Sequence, residues 1–374
     1  MDNEKYIKLM QNFNKKIEEL QVKNIELEKK LIEKGNENYI IIEEMNKIIQ
    51  KDKNYEMKIK ELEEKLQYYK KKCNKQKINL KKMEPIKQFD NLVYLISLFP
   101  SGNLLTVIFQ KTIKIYNINY EILQIIENKE EISIIEIKDE NNFISCSNIQ
   151  SINIYKKNKT IFELCFKINK AHDEPIIKII YTTKFDLISC SWDNRIKIWE
   201  YQNNKYECIT NISSLNYIIS ILLLEDKNIL ISSGERFVKF FNYNNLEILF
   251  NIENIFCSGK DALKRFNKDI IMVGTNLGNL KLISLSKKQI IKEIKIDFFC
   301  WFINIFEQKD IFLIGGNSNK IMIFDCDNFN LIKTIIDDDF KDIINFIQLK
   351  NNYIISNNIF GKYKIWEFNY EISS

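Results

Sequence analysis

The sequence predicts an all-β, seven-bladed propeller preceded by a long α-helical coiled coil. Two periodicities in the chain of 374 residues support this prediction. After Pro85 a short segment of alternating apolar and polar residues returns about every 42 residues, and before Pro85 apolar residues return every seven. The longer period is typical of propeller blades, and the shorter one of helices wound around each other. We therefore divide the chain into residues 1–84 and 85–374.

The longer repeat is clearest in the third strand expected in each blade. The matching segments are Thr112–Ile118, Ser151–Lys157, Arg195–Tyr201, Phe237–Tyr243, Asn279–Leu285, Lys320–Cys326 and Lys362–Phe368. Their equivalent residues are Tyr116, Tyr155, Trp199, Phe241, Ile283, Phe324 and Trp366, with spacings of 39, 44, 42, 42, 41 and 42. A β-branched run precedes each segment and predicts the second strand, from Leu104–Phe109 in the first blade to Tyr353–Ser356 in the last.

The end of the chain predicts how the ring closes. Only eight residues follow Trp366, which is too few for a turn and a fourth strand. We expect residues 86–89 (Ile86–Phe89) to supply the outer strand of the last blade, which would also cover an open sheet edge.

One segment, Ala171–Tyr201, carries a His, Ser, Asp and Trp set between its expected strands. These residues are His172, which is the only histidine of the chain, Ser189, Asp193 and Trp199. The segment resembles a blade of the WD-repeat family. The resemblance implies that the four side chains form a structural hydrogen-bond network that stiffens the blade. The other blades lack the aspartate, so the resemblance rests on the period and on this one unit.

The resemblance also implies a docking face for partner proteins. In WD-repeat propellers the loops before the first strand and between the second and third strands share one face. Here that face would hold the loop His172–Glu174 and the residues Trp192, Asn194, Arg195, Glu235, Arg236, Phe360 and Lys362. Trp192 and Arg195 are of the type that anchors interfaces. The alternative is that Trp192 only covers its own turn.

Residues 1–84 predict a parallel coiled-coil homodimer, with a trimer as the main rival. When Met10 is placed at heptad position a, seventeen of the twenty-two a and d positions are apolar. Asn24 and Asn38 fall at a, where buried asparagines favour two strands in fixed register. Ile42 and Ile49 fall at e and widen the apolar seam. They either thicken the core of the coil or receive a helix of a partner protein.

The end of this coil is strongly basic. Between residues 65 and 82 there are eight lysines and no acidic residue. They are Lys65, Lys70, Lys71, Lys72, Lys75, Lys77, Lys81 and Lys82. This stretch is either a solvated end where two helices part, or a surface for acidic tails, lipid or nucleic acid, of which nucleic acid is the least favoured. Residues 1–84 hold 21 of the 55 basic and 16 of the 50 acidic residues, which leaves 34 of each in the propeller.

No residue pattern in the sequence indicates catalysis, a cofactor or a metal. There is no phosphate-binding loop, no dinucleotide motif and no zinc motif, and a single histidine excludes most general-base schemes. The eight cysteines include no C-x-x-C pair, and the N-terminus lacks a signal peptide, so we expect a cytoplasmic protein. The sequence favours a non-enzymatic, dimeric scaffold or adaptor. The alternatives are a peripheral protein that binds the cytoskeleton or a membrane through the lysine stretch, and a propeller that uses its channel for a small molecule.

Overall fold

A computed structural model describes residues 78–81, 85–88, 92–214, 216–306, 310–338, 341–348, 353–367 and 369–372. These residues fold almost entirely into β-strands, and the one helical element among them is the 3₁₀ turn Glu225–Lys227. Contacts divide the chain into two compact units, residues 82–369 and residues 1–81 with 370–374. The all-β propeller is confirmed in the larger unit.

Six four-stranded antiparallel sheets of the larger unit are each built from consecutive strands. Blade 1 contains β3 (Val93–Leu98), β4 (Leu104–Ile108), β5 (Thr112–Tyr116) and β6 (Ile122–Glu127). Blade 2 contains β7 (Ile132–Asp139), β8 (Asn142–Ser147), β9 (Ile152–Asn158) and β10 (Ile161–Ile168). Blade 3 contains β11 (Ile176–Tyr181), β12 (Leu187–Ser191), β13 (Arg195–Gln202) and β14 (Lys205–Ser213).

The next three sheets follow the same order. Blade 4 contains β15 (Ile218–Leu224), β16 (Ile229–Gly234), β17 (Phe237–Asn242) and β18 (Ile248–Glu253). Blade 5 contains β19 (Leu263–Arg265), β20 (Ile270–Gly274), β21 (Asn279–Ser284) and β22 (Gln289–Lys295). Blade 6 contains β23 (Cys300–Phe306), β24 (Ile311–Gly316), β25 (Lys320–Asp325) and β26 (Leu331–Ile336).

A seventh four-stranded sheet joins strands from the two ends of the unit. Its strands are β27 (Ile343–Gln348), β28 (Tyr353–Asn358), β29 (Tyr363–Glu367) and, at the outer edge, β2 (Pro85–Gln88). Lys87 pairs with Ile365, and Gln88 pairs with Lys364. The outer strand therefore begins and ends one residue earlier than the sequence predicts.

The first strands of the blades form a closed ring around a central channel. Each of them contacts the next in the order β3, β7, β11, β15, β19, β23, β27, and β27 returns to β3. Backbone hydrogen bonds also join neighbouring blades, as from Val93 N to Gly361 O at 2.6 Å and from Ala171 N to Gln150 O at 2.8 Å. The apolar core lies in layers between blades, because each cluster of buried side chains combines residues from two neighbours.

The residues that define the sequence repeat occupy the same place in every blade. Tyr116 pairs with Leu104, Tyr155 with Phe143 and Trp199 with Leu187, and the same second-to-third-strand pairing continues through the later blades. Five residues before this position the backbone takes a positive φ in several blades, as at Asn194 (φ 67), Arg236 (φ 73) and Gly278 (φ 74). The sequence repeat therefore reflects a strand register that all the blades share and a left-handed turn that several of them share.

One further two-stranded sheet pairs β1 (Ile78–Lys81) with β30 (Asn369–Ile372). The prediction of helix through residue 84 is wrong for residues 78–81. The reason is that Ile78-Asn79-Leu80-Lys81 alternates with a period of two as well as fitting the heptad, and its β-branched Ile78 favours a strand. The remaining predictions for the coil, including those for Asn24, Asn38, Ile42, Ile49 and Lys65 to Lys77, concern residues outside the described ones.

Candidate functional site

The structure brings His172, Ser189, Asp193 and Trp199 of blade 3 into one hydrogen-bond chain. His172 Nδ1 lies 2.8 Å from Asp193 Oδ2, and His172 Nε2 lies 2.7 Å from Ser189 Oγ. Trp199 Nε1 donates to the same Ser189 Oγ at 2.8 Å. His172 and Ser189 are buried, so the chain of bonds is shielded from water.

The order of donors fixes the protonation of this network. An ionised carboxylate only accepts, so Nδ1 of His172 carries the proton and Nε2 accepts from the Ser189 hydroxyl. Burial lowers the pKa of His172 below its usual value, which favours this neutral form. Burial works against the charge of Asp193, but interaction with His172 and backbone hydrogen bonds outweigh it and keep the pKa of Asp193 low. Every polar group in the chain is satisfied, as expected of a structural network.

The network joins the two loops of blade 3 that face the same end of the propeller. Asp193 Oδ2 accepts a hydrogen bond from Asp173 N at 3.2 Å, and Asp193 Oδ1 accepts one from Arg195 N at 3.0 Å. Ser191 Oγ donates to Glu174 O at 2.9 Å. The loop before β11 and the β12–β13 turn are thereby held together, which fixes the positions of Glu174 and Trp192.

Other blades close the same turn with shorter side chains. In blade 2 the hydroxyls of Ser147 and Ser151 lie 2.7 Å apart, and Ser151 donates to Glu130 at 2.6 Å. In blade 5 Thr275 Oγ1 donates to Asn279 O at 2.9 Å. The missing aspartates are therefore replaced locally, which explains why the strands keep their register although the four-residue set occurs once.

A cleft of about 660 Å³ opens beside this network, where the loops of blades 3, 4 and 5 meet. Its lining consists of Glu174, Trp192, Asn194, Tyr217, Ile219, Glu235, Phe256, Cys257 and Asn276. Two aromatic side chains are prominent, since Trp192 is 49% exposed and Tyr217 is 54% exposed. We call this set of residues the aromatic cleft.

The aromatic cleft is acidic. Glu174 and Glu235 are exposed, and neither carboxylate forms an ion pair or a hydrogen bond within the described part of the chain. Arg195 is paired with Asp173 at 3.0 Å, and the guanidinium of Arg236 borders the cleft at 5.8 Å from the ring centre of Phe256. Two carboxylates are thus set against the one guanidinium of Arg236. Trp192 and Tyr217 therefore face a local excess of negative charge.

The structure separates the residues expected on the docking face into two groups. Trp192, Asn194 and Glu235 line the aromatic cleft, and Arg236 borders it through Phe256. Phe360 and Lys362 belong to the β28–β29 turn of the seventh sheet and do not line the aromatic cleft. Arg195 is held by Asp173.

The sequence analysis missed two aromatic residues of the cleft, Tyr217 and Phe256. Tyr217 directly precedes β15, and Phe256 lies between β18 and β19, so both occupy loops before a first strand. Such loops belong to the face already expected to dock partners. An aromatic residue at that place in consecutive blades was the signal that could have found them.

Two general properties of the described residues bear on function. Among them, no group of three or more His, Cys, Asp or Glu side chains is placed to hold a metal ion. The helical content of the described residues includes no segment that is long and apolar enough to cross a membrane. Compared with known proteins, the chain matches no protein-family model and no curated protein sequence.

Proposed function

We propose that this chain is a non-catalytic scaffold of the WD-repeat type, with seven blades, whose aromatic cleft binds a cationic segment of a partner protein. The single observation that carries the proposal is the combination of Trp192 and Tyr217 with the unpaired carboxylates of Glu174 and Glu235. An ammonium or guanidinium group is attracted both by the face of an aromatic ring and by a nearby carboxylate. A lysine or arginine side chain of an extended peptide can contact the aromatic rings and the carboxylates at the same time.

The geometry around the cleft supports peptide binding rather than turnover. Its volume of about 660 Å³ is suited to a few side chains. Trp192 stands on a turn that the His172 network fixes, so little ordering is needed when a ligand binds. The one histidine near the cleft is neutral and fully bonded, so it offers no base to a substrate.

An array of peptides tests this proposal directly. The full chain is applied to peptides whose central residue is lysine, arginine, glutamate or alanine in otherwise equal sequences. We expect retention on the lysine or arginine peptides, and loss of that retention with Glu174→Gln and Glu235→Gln together. Equal retention on glutamate peptides, or no change in the double variant, would reject the proposal.

We further propose that residues 1–77 form a parallel coiled-coil dimer that carries two propellers. Two identical heads bind a repeated target with an avidity that one head lacks. The support comes from the heptad pattern, in which fifteen of the twenty a and d positions in residues 10–77 are apolar. Ile42 and Ile49 are proposed to accept a partner helix, so Ile42→Glu with Ile49→Glu is expected to remove that partner and to leave dimerisation intact.

The second candidate function is attachment to an anionic filament or membrane. The eight lysines between residues 65 and 82, without an acidic residue among them, favour it. Co-sedimentation of the full chain with microtubules or with anionic liposomes, at low and high salt, separates it from a scaffold that binds proteins alone. Binding that falls steeply with salt, and that Lys→Gln changes in this stretch abolish, supports attachment.

A further inference from the structure

The segment between β18 and β19 departs from the regular propeller pattern. The first strand of blade 5, β19, has three residues, whereas the other first strands have six to eight. The chain instead forms a loop from Ser258 to Asp261 that crosses towards blade 6. Gly259 packs so closely on the Trp301 backbone that a Cβ at this position would lie 2.4 Å from the Trp301 carbonyl oxygen.

Contacts from three blades hold this loop in place. Lys178 Nζ of blade 3 donates to Lys260 O at 2.8 Å, and Ser220 Oγ of blade 4 donates to the same oxygen at 2.6 Å. Ile303 N of blade 6 donates to Asp261 O at 3.0 Å. A backbone fixed by three separate donors keeps the side chains of Lys260 and Asp261 at the channel.

The loop completes a cavity of about 460 Å³ that the first strands enclose. Segments of β3, β7, β19, β23 and β27 line it, together with Lys260, Asp261 and Asn357. Its charged side chains are Glu136, Lys260, Asp261 and Lys264, and its polar ones include Tyr94, Asn304 and Asn357. This volume lies within the range of pockets that hold small molecules.

The charges of the cavity do not cancel. Asp261 is paired with Lys178 at 3.4 Å. The ammonium groups of Lys260 and Lys264 and the carboxylate of Glu136 form no ion pair or hydrogen bond within the described residues. Three ammonium groups, those of Lys178, Lys260 and Lys264, therefore act on the two carboxylates of Asp261 and Glu136, which leaves one net positive charge at the cavity. An excess charge on such half-buried groups is stabilised when a ligand of opposite charge occupies the cavity.

We propose that the channel of this propeller binds a small soluble molecule bearing a phosphate group, held by Lys260 and Lys264. A phosphate offers several oxygens to two ammonium groups at once. The amide nitrogen of Asn357 donates to Tyr94 O at 2.9 Å, and its amide oxygen can accept from a hydroxyl group of such a molecule. The recessed position inside the ring favours a free molecule over one anchored in a bilayer. Glu136 opposes the anion when it is ionised.

The titration of Glu136 gives the site a second signature. The pKa of Glu136 is raised to about 7, chiefly by burial; the nearby Asp261 also raises it, while Lys178, Lys264 and Lys260 lower it. These groups face Glu136 from the neighbouring loop and from β11 and β19, and Tyr94 faces it from β3. Protonation of Glu136 removes the negative charge opposite the ligand, so anion binding strengthens as the pH falls through 7.

Calorimetric titration of the full chain with pyrophosphate tests the proposal. We expect wild type to bind, and Lys260→Gln and Lys264→Gln each to weaken binding roughly tenfold or more. The matched control is Lys268→Gln, an exposed lysine of the same blade, which should bind as wild type does. Absence of binding to wild type at millimolar pyrophosphate overturns the proposal, and so does an equal loss in the control.

A titration with sulfate across pH separates a built site from general charge attraction, because the charge of sulfate does not change near neutrality. Wild type should bind sulfate more tightly at about pH 6 than at about pH 8, and Glu136→Gln should bind equally at both. The sulfate titration needs neither lysine variant, so it tests the proposed anion site even where those variants fold poorly. A pH dependence that persists in Glu136→Gln contradicts the proposed site.

Discussion

The ammonium group of Lys178 donates a hydrogen bond to the backbone carbonyl of Lys260 at 2.8 Å, although 82 residues separate them in the chain. The bond joins blade 3 to the loop before blade 5, and blade 4 lies between these two blades in the ring. With Ser220, which bonds the same carbonyl, it ties three blades together at the channel. The segment between β18 and β19 thus lines the channel with its loop at Lys260. The same segment also supplies Phe256 and Cys257 to the aromatic cleft, where it meets the turns of blades 3 and 4.

Replacement of His172 by alanine should destabilise the propeller by about 1–3 kcal/mol, because it leaves Ser189 and Asp193 without their partner in a buried network. Urea unfolding followed by tryptophan fluorescence measures this change. The double variant His172→Ala with Ser189→Ala should lose less than the sum of the two single variants, since the residues share one interaction. Additive losses would mean that the network is not coupled.

The free energy of unfolding should depend on pH through two groups, His172 and Glu136, whose effects run in opposite directions. The pKa of His172 is lowered in the folded protein. Its contribution to the free energy of unfolding is therefore present at neutral pH. That contribution is lost as the pH falls below about 6.5, because the histidine of the unfolded chain then takes up a proton. The folded pKa of Glu136 is raised to about 7, so its contribution is present below about 4.5 and is lost as the pH rises through 7. Stability should therefore be greatest at weakly acidic pH.

A variant separates the Glu136 effect from the rest. At about pH 8, Glu136→Gln should be more stable than wild type by roughly 2 kcal/mol, because it removes a carboxylate that burial makes costly to ionise. The exposed Glu253→Gln serves as the control and should leave the pH profile unchanged. Urea midpoints at about pH 6 and about pH 8 measure both. A lower stability of Glu136→Gln at about pH 8 would show that the carboxylate is compensated.

The loop before blade 5 should tolerate no side chain at Gly259. Gly259→Ala places a methyl group against the Trp301 backbone, which cannot give way as a flexible side chain can. We expect a loss of about 1–3 kcal/mol in the free energy of unfolding. Pyrophosphate binding should weaken in the same variant, because Lys260 follows Gly259 directly. Wild-type stability in Gly259→Ala would show that the close approach to Trp301 is wrong.

The oligomeric state of the full chain tests the coil. Sedimentation equilibrium should give twice the mass of one chain at micromolar concentration. Asn24→Leu with Asn38→Leu should convert this single species into a mixture that includes larger assemblies, because buried asparagines at position a select two strands. A monomeric wild type would contradict the proposed dimer and leave the propeller account untouched.

The second and third strands could be predicted because both depend on local pattern. They begin and end within two residues of the predicted segments, and the repeat residues Tyr116, Tyr155 and Trp199 share one register. The second strands are continuous runs of apolar and small residues that are buried on both faces. The third strands alternate between buried and half-buried side chains, which fixes their register. The hydrogen-bond network of His172 could also be predicted, because its four residues lie within one blade.

The aromatic cleft and the channel cavity could not be predicted in this way. Aromatic residues in the loops before first strands mark Tyr217 and Phe256 as members of one face. That they line the same cleft as Trp192 follows from the ring, which places three blades side by side, and no local pattern encodes that angle. The loop at Lys260 is equally hidden, since its anchors Lys178 and Ser220 lie in two other blades. The helix predicted through residue 84 was wrong at Ile78–Lys81, where one pattern fitted two periods.

The most direct test of the account is the affinity of a lysine- or arginine-containing peptide, selected on the array, for three forms of the full chain. Fluorescence polarisation compares wild type, Trp192→Ala and Phe360→Ala, whose side chains are 49% and 57% exposed before truncation. We expect Trp192→Ala to weaken binding roughly tenfold or more, as truncation of an anchor does, and Phe360→Ala to bind as wild type does. Unchanged binding in Trp192→Ala, or an equal loss in Phe360→Ala, would contradict it.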